Sequence, residues 1–294
     1  MKSLATLKKS NLRSLKSMVL VFCFFLTCLQ AFGEINFKIE PMLPKQGETV
    51  SLKVIKIQNN KSFPKVFFNK TKIPVFELNE AYRAFIPLVA NQKPGKYELN
   101  IFYGNESKTL ELIVSESKFL VEDLTLTKEV ASLMATQAEL NSIRKTLSTV
   151  TSEKKWDTKF IFPSNGHEST QYGVQRRING SLDPEYFHKG LDFASPEGSP
   201  VKACQNGKVI LSGFQSMGFV VNGNSVFIDH GHGVISGYLH LKEILVKQED
   251  QVKKGQLIGK IGSTGIATGP HLHFGLYVLG KPVEPKWWIN MLVD

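Results

Sequence analysis

All seven histidines of this 294-residue chain lie between His167 and His273, and the first 166 residues contain none. A neutral imidazole is the commonest metal ligand in proteins and the commonest proton shuttle. Their confinement to one stretch therefore points to a metal centre, or to acid–base chemistry, in the C-terminal half of the chain.

Two of these histidines stand one residue apart, in the sequence Pro-His-Leu-His-Phe at 270–274. Side chains alternate along a strand, so His271 and His273 are predicted to share one face, with Leu272 and Phe274 on the other. An imidazole that is buried without a hydrogen-bond partner costs about 1–3 kcal/mol. The spacing therefore favours a functional pair over packing.

A second candidate is the sequence His-Lys-Gly-Leu-Asp at 188–192. Gly190 and the downstream Pro196 argue against a helix, so an extended or bulged segment is predicted. Such a segment can direct His188 and Asp192 to one point, and nitrogen and oxygen ligands at about 2.0–2.2 Å suit zinc. On its own the His-x-x-x-Asp spacing is common in proteins, and an ordinary pair of surface residues is the alternative to a metal site.

The remaining histidines carry less information by themselves. His240, in Tyr-Leu-His-Leu at 238–241, has the pattern of a hydrogen-bonded core or edge histidine. His230 and His232 are interpreted first as hairpin residues between two strands, because glycines follow both, and second as metal or substrate contacts. His167 has no supporting pattern.

The order and neighbours of these residues resemble the lysostaphin-type (LytM-like) zinc metallopeptidases, which cut peptidoglycan peptides. The resemblance runs from about Phe162 to Trp288. Its motifs are His-x-Gly-x-Asp at 188–192, Gly-x-Pro-Val-x-Ala at 198–203, Tyr-x-His-Leu at 238–241 and Thr-Gly-Pro-His-Leu-His-Phe at 268–274. One departure is an additional residue in Tyr172-Gly-Val-Gln-Arg-Arg177, which affects that loop and leaves the motif residues unchanged.

The resemblance implies one zinc ion per chain, bound by His188, Asp192 and His273, with water in the fourth position. It also implies that His240 and His271 flank the metal as catalytic residues. A zinc ion bound in this way lowers the pKa of its water toward about 7 and polarises the scissile carbonyl. The hypothesis is that His240 or His271 takes the water proton and that the two together stabilise the oxyanion.

The rest of the chain predicts a mainly β protein in several parts. Residues 34–117 alternate between apolar and polar positions and predict an immunoglobulin-like β-sandwich, as found before this domain in some members of the family. Residues 118–158 form a linker with one amphipathic helix from about Lys128 to Ser148, interpreted as an interdomain brace. Residues 159–294 are predicted to form the antiparallel β-sheet metallopeptidase domain.

Residues 1–33 have the pattern of a secretory signal peptide: basic residues, an apolar run and a small-x-small cleavage site. The predicted location is the periplasm or the wider cell envelope, and secretion from the cell is an alternative. No membrane span is expected after the signal is cleaved. An uncleaved membrane anchor and a lipid on Cys23 or Cys28 are the alternatives. Cys204 is then the remaining cysteine, predicted to be a buried, inert thiol.

Composition and charge narrow the classes of function. Hydrophobic residues are 42% and charged residues 21% of the chain, which excludes collagen-like, disordered and multi-span membrane proteins. The net charge of +10 becomes +5 without residues 1–33, with 31 basic and 26 acidic residues remaining. Because no aromatic-studded basic stripe occurs, no nucleic-acid partner is expected.

Three classes of function fit these observations. They are an exported zinc endopeptidase acting on peptidoglycan peptides, a metal-free activator of another wall hydrolase, and a wall-binding module that uses its positive charge. Relatives of the resembled family that act as activators have altered ligand positions. The complete set of His188, Asp192 and His273 favours the endopeptidase.

Overall fold

Strands are far more abundant than helices in the part of the chain that the structure describes, which confirms the mainly β prediction. The structure, a computed structural model, describes residues 35–58 and 61–291. The predicted signal at residues 1–33 lies outside the described residues. Among the described helices, none is long and apolar enough to cross a membrane.

The N-terminal part contains two four-stranded antiparallel sheets. One has the order β1-β2-β6-β5 and the other β4-β3-β7-β8. Their strands are β1 Phe37–Glu40, β2 Thr49–Ile55, β3 Lys65–Phe68, β4 Thr71–Ile73, β5 Val75–Glu77, β6 Ala81–Pro87, β7 Gly95–Tyr103 and β8 Glu106–Val114. Leu52 and Ile86 of one sheet and Leu99 of the other are fully buried in one shared core. The immunoglobulin-like topology of residues 34–117 stays a prediction.

The linker contains a short strand β9 (Val121–Leu124) and two helices, α1 (Lys128–Ala131) and α2 (Gln137–Leu147). The prediction of one continuous helix from Lys128 to Ser148 is therefore wrong. The chain is extended at Thr136, whose hydroxyl accepts a hydrogen bond from the Glu139 amide at 3.1 Å and so starts a new helix. The apolar face predicted for this helix is buried only in part: Met134, which lies between α1 and α2, is 81% exposed.

The C-terminal part is organised around a ten-stranded sheet. Its main path has the order β10-β13-β20-β17-β16-β15-β18, and the centre of the sheet is buried on both faces. The strands are β10 His167–Thr170, β11 Gln175–Ile178, β12 Ser181–Leu182, β13 Gly190–Ala194, β14 Pro200–Lys202, β15 Gly207–Gly213, β16 Asn224–Gly231, β17 Val234–Ile244, β18 Gln251–Val252, β19 Leu257–Ile261, β20 His271–Val278 and β21 Lys281–Val283, followed by helix α3 Pro285–Asn290. Strands β11 and β12 lie outside that sheet, in a three-stranded sheet where β11 pairs with β12 on one side and with β9 of the linker on the other.

The N-terminal sheets and the C-terminal sheet share a hydrophobic core. Phe85 of β6 packs against Trp156 and Trp288, with ring centroids 6.2 and 5.1 Å away. The Trp288 indole N–H also donates to the Thr49 hydroxyl at 3.1 Å. The ring of Phe76 stacks on His232 at 4.4 Å. Aromatic packing thus ties the two parts together.

Tyr172 forms hydrogen bonds between the N-terminal and C-terminal parts, and these bonds lead to a prediction about stability. Its hydroxyl accepts from the Ala90 amide at 3.0 Å and donates to the Pro282 carbonyl at 2.9 Å. Tyr172→Phe would leave the buried Ala90 amide and the half-buried Pro282 carbonyl without this partner, so the free energy of unfolding is expected to fall by about 1–3 kcal/mol. Urea denaturation followed by fluorescence measures the change.

The matched control is Tyr97→Phe, which removes an exposed hydroxyl that donates to the Lys93 carbonyl. Its effect should stay within about 0.5 kcal/mol. Equal effects of the two substitutions would contradict a bridging role for Tyr172.

Candidate metal centre

The central strands of the ten-stranded sheet bring the candidate ligands together. In the antiparallel pair of β13 and β20, Asp192 lies opposite His273, and Ala194 lies opposite His271. Residues directly opposite in such a pair have Cβ atoms about 4.5–5.5 Å apart. Gly190 permits the close approach, because a Cβ there would lie 2.3 Å from the Phe274 carbonyl oxygen and 2.9 Å from His273 Nε2. The sheet register thus places the Asp192 carboxylate beside His273.

Three side-chain atoms converge at this point. His188 Nε2 lies 3.0 Å from both Asp192 Oδ1 and His273 Nδ1, and His273 Nδ1 lies 2.9 Å from Asp192 Oδ1. All three residues are buried or nearly so. These are the three residues that the resemblance implied as metal ligands, and the structure brings them together.

The protonation of His188 indicates what this triad can hold. His188 Nδ1 lies 2.8 Å from the Gln171 carbonyl oxygen, an acceptor, so the ring nitrogen there must carry the hydrogen. In the neutral ring, Nε2 then presents a lone pair to the Asp192 carboxylate oxygen 3.0 Å away. Two lone pairs at that distance repel unless a proton or a metal ion lies between them. Two nitrogens and one oxygen form a donor set that fits a zinc ion with an open fourth position.

The charge state of Asp192 suits the same role. Burial acts to raise the pKa of this carboxyl, but interactions with His188 and His273 outweigh it and hold the pKa well below its ordinary value. The carboxylate is therefore ionised at neutral pH. Arg176 of β11 contacts its other oxygen, with Nη2 3.0 Å from Asp192 Oδ2. This contact fixes the carboxylate so that Oδ1 faces the two histidines.

His240 and His271 stand beside the triad. Their ring centroids are 4.8 Å apart, and His271 Nε2 lies 4.0 Å from Asp192 Oδ1. His240 Nδ1 donates to the Thr264 carbonyl at 2.8 Å, and His271 Nδ1 donates to the Gly269 carbonyl at 2.9 Å. In the neutral rings, Nε2 is therefore the lone-pair atom of each.

The environment of His240 keeps that ring neutral. Burial, followed by the nearby His271 and His273, lowers the pKa of His240 to about 3. The His240 backbone also has φ +64°, in the left-handed region that few non-glycine residues adopt. Such conformations persist where surrounding contacts hold them, and they are common at functional sites.

A cavity of about 690 Å³ contains the triad and both flanking histidines. One wall is the linker strand β9 with Glu122, Asp123 and Leu124, which pairs in parallel with β11. Val221 and Asn222, on a loop before β16, lie on the lining as well. No sequence pattern indicated that the linker lines the site, because β9 is four residues long and pairs with a strand some 50 positions away.

The other histidines and the cysteine lie elsewhere. His230 is buried, with Nδ1 2.7 Å from the Asn206 carbonyl and Nε2 2.8 Å from the Ser236 hydroxyl. His232 lies in the turn between β16 and β17, as the hairpin interpretation predicted. His167 is exposed on β10. Cys204 is fully buried, and burial raises its thiol pKa to about 11, as expected of an inert thiol.

Comparisons with known proteins find similarity to peptidases. The sequence model of Peptidase family M23 matches residues 186–285. Peptidoglycan DD-endopeptidase ShyA of Vibrio cholerae is 39% identical over 139 residues, which are 42% of this chain and 31% of ShyA. DD-carboxypeptidase/endopeptidase Mpg of Neisseria meningitidis is 42% identical over 109 residues, 37% of this chain and 24% of Mpg.

A solved structure extends the likeness to the N-terminal sheets. A candidate peptidase M23 from Pseudomonas aeruginosa superposes with a TM-score of 0.61 at 26% identity, covering 85% of this chain and 95% of that chain. By contrast, the chain spans between about a quarter and a third of the length of the curated relatives that it matches.

Proposed function

We propose, on the premise that residues 186–285 form a Peptidase family M23 domain, that this protein is an exported zinc-dependent endopeptidase that hydrolyses peptide cross-links of peptidoglycan. His188, Asp192 and His273 would hold the zinc ion, and His240 and His271 would act on the reacting groups. Relatives named peptidoglycan DD-endopeptidases support the substrate class. An export signal at residues 1–33 would deliver the protein to the cell envelope, where that polymer lies.

The observation that carries this proposal is the convergence of two ring nitrogens and one carboxylate oxygen. His188 Nε2, Asp192 Oδ1 and His273 Nδ1 meet within about 3 Å in a buried corner of the cavity. Atoms this close need protons or a metal ion between them, and a zinc ion can take all three as ligands. Two further imidazoles with lone pairs lie beside it, which is more acid–base capacity than a structural metal site needs.

The chemistry divides between the cation and the two flanking histidines. A zinc ion, when bound, supplies a Lewis acid that activates water and polarises a carbonyl. Nε2 of His240 or His271 is the site that can accept the proton of the attacking water, since Nδ1 of each already donates to a carbonyl. Once protonated, the same Nε2–H can donate to the leaving nitrogen of the cleaved peptide.

The size of the cavity suits a peptide substrate. Its volume of about 690 Å³ falls within the range of small-ligand sites, about 300–1,000 Å³. That space accommodates a few residues of an extended peptide next to the triad.

Digestion of purified peptidoglycan tests the proposed reaction. The protein, loaded with zinc, is incubated with sacculi, and the released and residual muropeptides are separated and identified by mass spectrometry. Cross-linked dimers should decline as monomers with a new amine and a new carboxylate appear, and a chelator should stop the change. A muropeptide profile identical to that of the untreated sacculi would contradict the proposal.

Arg176 gives a prediction about metal affinity. Arg176→Met would free Asp192 Oδ2 from its 3.0 Å partner while keeping the length of the side chain. Loss of an outer partner of this kind typically weakens metal binding 10–100-fold, so a loss of roughly that size is expected. Competition for zinc with a chromophoric chelator measures the dissociation constant.

Arg177→Met is the matched control, because the neighbouring Arg177 pairs with the exposed Asp123 instead, at 2.7 Å. It should bind zinc with the affinity of the unaltered protein. Equal weakening in both variants would show that Arg176 acts only through general charge or stability.

A further inference from the structure

We infer that Glu139, on the linker helix α2, is a positioning residue for His240. It acts through the loop at residues 220–222 and does not touch the reacting groups. The inference rests on the proposed function, because it assigns His240 a catalytic task. Glu139 lies outside residues 186–285, so this chain's own linker would contribute to the working geometry of the family domain.

The Glu139 carboxylate is buried and binds three successive backbone amides. Oε2 accepts from Val220 at 3.0 Å and Val221 at 3.2 Å, and Oε1 accepts from Asn222 at 2.7 Å. Glu139 is 1% exposed. The Val220 amide is shared with the Gly218 carbonyl at 3.0 Å. Three successive amides bound to one side chain fix the backbone of this loop.

Asn222 connects that carboxylate directly to His240. Its N–H donates to Glu139, and its carbonyl accepts from the His240 amide at 3.1 Å. His240 holds the left-handed backbone conformation, φ +64°, which costs of order 1–3 kcal/mol and persists only under the constraint of surrounding contacts. The hydrogen bond that the His240 amide donates to the Asn222 carbonyl supplies one such constraint at the strained residue itself.

A second connection reaches the His240 ring. The Val221 carbonyl accepts from the Ile266 amide at 2.9 Å, and the Asn224 amide donates to the Thr264 hydroxyl at 3.0 Å. The Thr264 carbonyl in turn accepts from His240 Nδ1. The loop that Glu139 holds therefore also holds the segment that orients the imidazole and selects its tautomer.

The helix is itself anchored to the same loop. The Thr136 hydroxyl accepts from the Glu139 amide at 3.1 Å and donates to the Gly218 carbonyl at 2.8 Å. In a typical capping box, the glutamate at this position bonds back to the amide of the capping residue. Here its carboxylate turns to the loop instead, which is why a Thr-x-x-Glu sequence in the linker bears on a histidine about 100 positions away.

The test compares Glu139→Gln with Leu147→Ala. Leu147 lies on the same helix and packs against the buried cluster that includes Phe227 of β16 and Ile235 of β17, so its truncation weakens the packing of the helix and leaves the hydrogen bonds of Glu139 in place. For Glu139→Gln we expect kcat on soluble cross-linked muropeptides to fall roughly 10–100-fold, the size of effect that a misplaced catalytic group produces. KM and zinc content should change little. Leu147→Ala should lower Tm and keep kcat.

Amide hydrogen exchange supplies a readout that does not need activity. In Glu139→Gln, the amides of Val221, Asn222 and His240 should exchange faster than in the unaltered protein, while those of the distant β2 stay unchanged. If Glu139→Gln fails to fold, Glu139→Asp keeps the charge but shortens the reach, and it should show the same pattern in milder form.

The outcomes separate this inference from the proposed function. Unchanged exchange of those three amides, or equal losses of kcat in Glu139→Gln and Leu147→Ala, would overturn the positioning role. If the unaltered protein leaves peptidoglycan intact, the proposed function fails. In that case faster exchange at His240 supports the structural link between Glu139 and His240, and unchanged exchange refutes it.

Discussion

His188→Ala is expected to lose the metal and, with it, all measurable hydrolysis. The substitution removes one of the three proposed ligands and leaves Asp192 and His273 alone in a buried corner. Loss of an outer partner costs 10–100-fold in metal affinity, so loss of a ligand should cost more than about 100-fold. Metal content after dialysis, measured by plasma emission spectrometry, and muropeptide release from the same sample report the two effects.

The matched control is His167→Ala, which removes an exposed histidine of β10 outside the triad. It should keep both the metal and the activity. Retention of stoichiometric zinc by His188→Ala would show that the triad is not the metal site, and the assignment of all three ligands would fail with it.

His271→Ala is expected to separate metal binding from catalysis. Its ring lies 4.0 Å from Asp192 but is not part of the convergent triad, so zinc should remain bound. Removing a general acid–base group typically costs 10²–10⁴-fold, and kcat should fall by about that factor while zinc content stays near one per chain. Steady-state kinetics on soluble muropeptides, with metal analysis of the same preparation, gives both values.

His240→Ala, analysed in parallel, compares the two flanking histidines. The variant with the larger loss of kcat identifies the ring that contributes more to proton transfer. If His271→Ala instead loses its zinc, the residue belongs to the ligand set. If His271→Ala keeps full activity, His271 is not the acid–base group, and His240 or solvent transfers the proton.

The candidate site was largely accessible from the sequence because its signals are local. Alternation along β20 placed His271 and His273 correctly on one face, and glycine and proline correctly excluded a helix at 188–192. The convergence of His188 and Asp192 with His273 could not be predicted from local patterns. It depends on the pairing of β13 with β20, some 80 positions apart, and only the resemblance to a known family supplied it.

The linker shows why the remaining features could not be predicted. Periodicity suggested one helix, yet the cap at Thr136 divides it, and the Thr-x-x-Glu sequence at 136–139 was a local signal for that boundary. What the Glu139 carboxylate binds depends on a loop more than 80 positions away, which no local pattern reveals. The same holds for β9, whose place in the cavity wall comes from pairing with β11.

The N-terminal sheets illustrate a related limit of local patterns. Alternating strands were evident, but the packing of Phe85 against Trp156 and Trp288 joins residues from three separate regions of the sequence. An interpretation of residues 34–117 as a separate module did not anticipate a shared core.

The most direct test of the central claim is to measure zinc content and peptidoglycan cleavage in one preparation of residues 34–294. We expect one zinc per chain and conversion of cross-linked muropeptides to monomers, both abolished by a chelator and restored by zinc. A protein that is folded yet binds no zinc, and that releases nothing from purified sacculi, would contradict the account and favour a metal-free activator of another wall hydrolase.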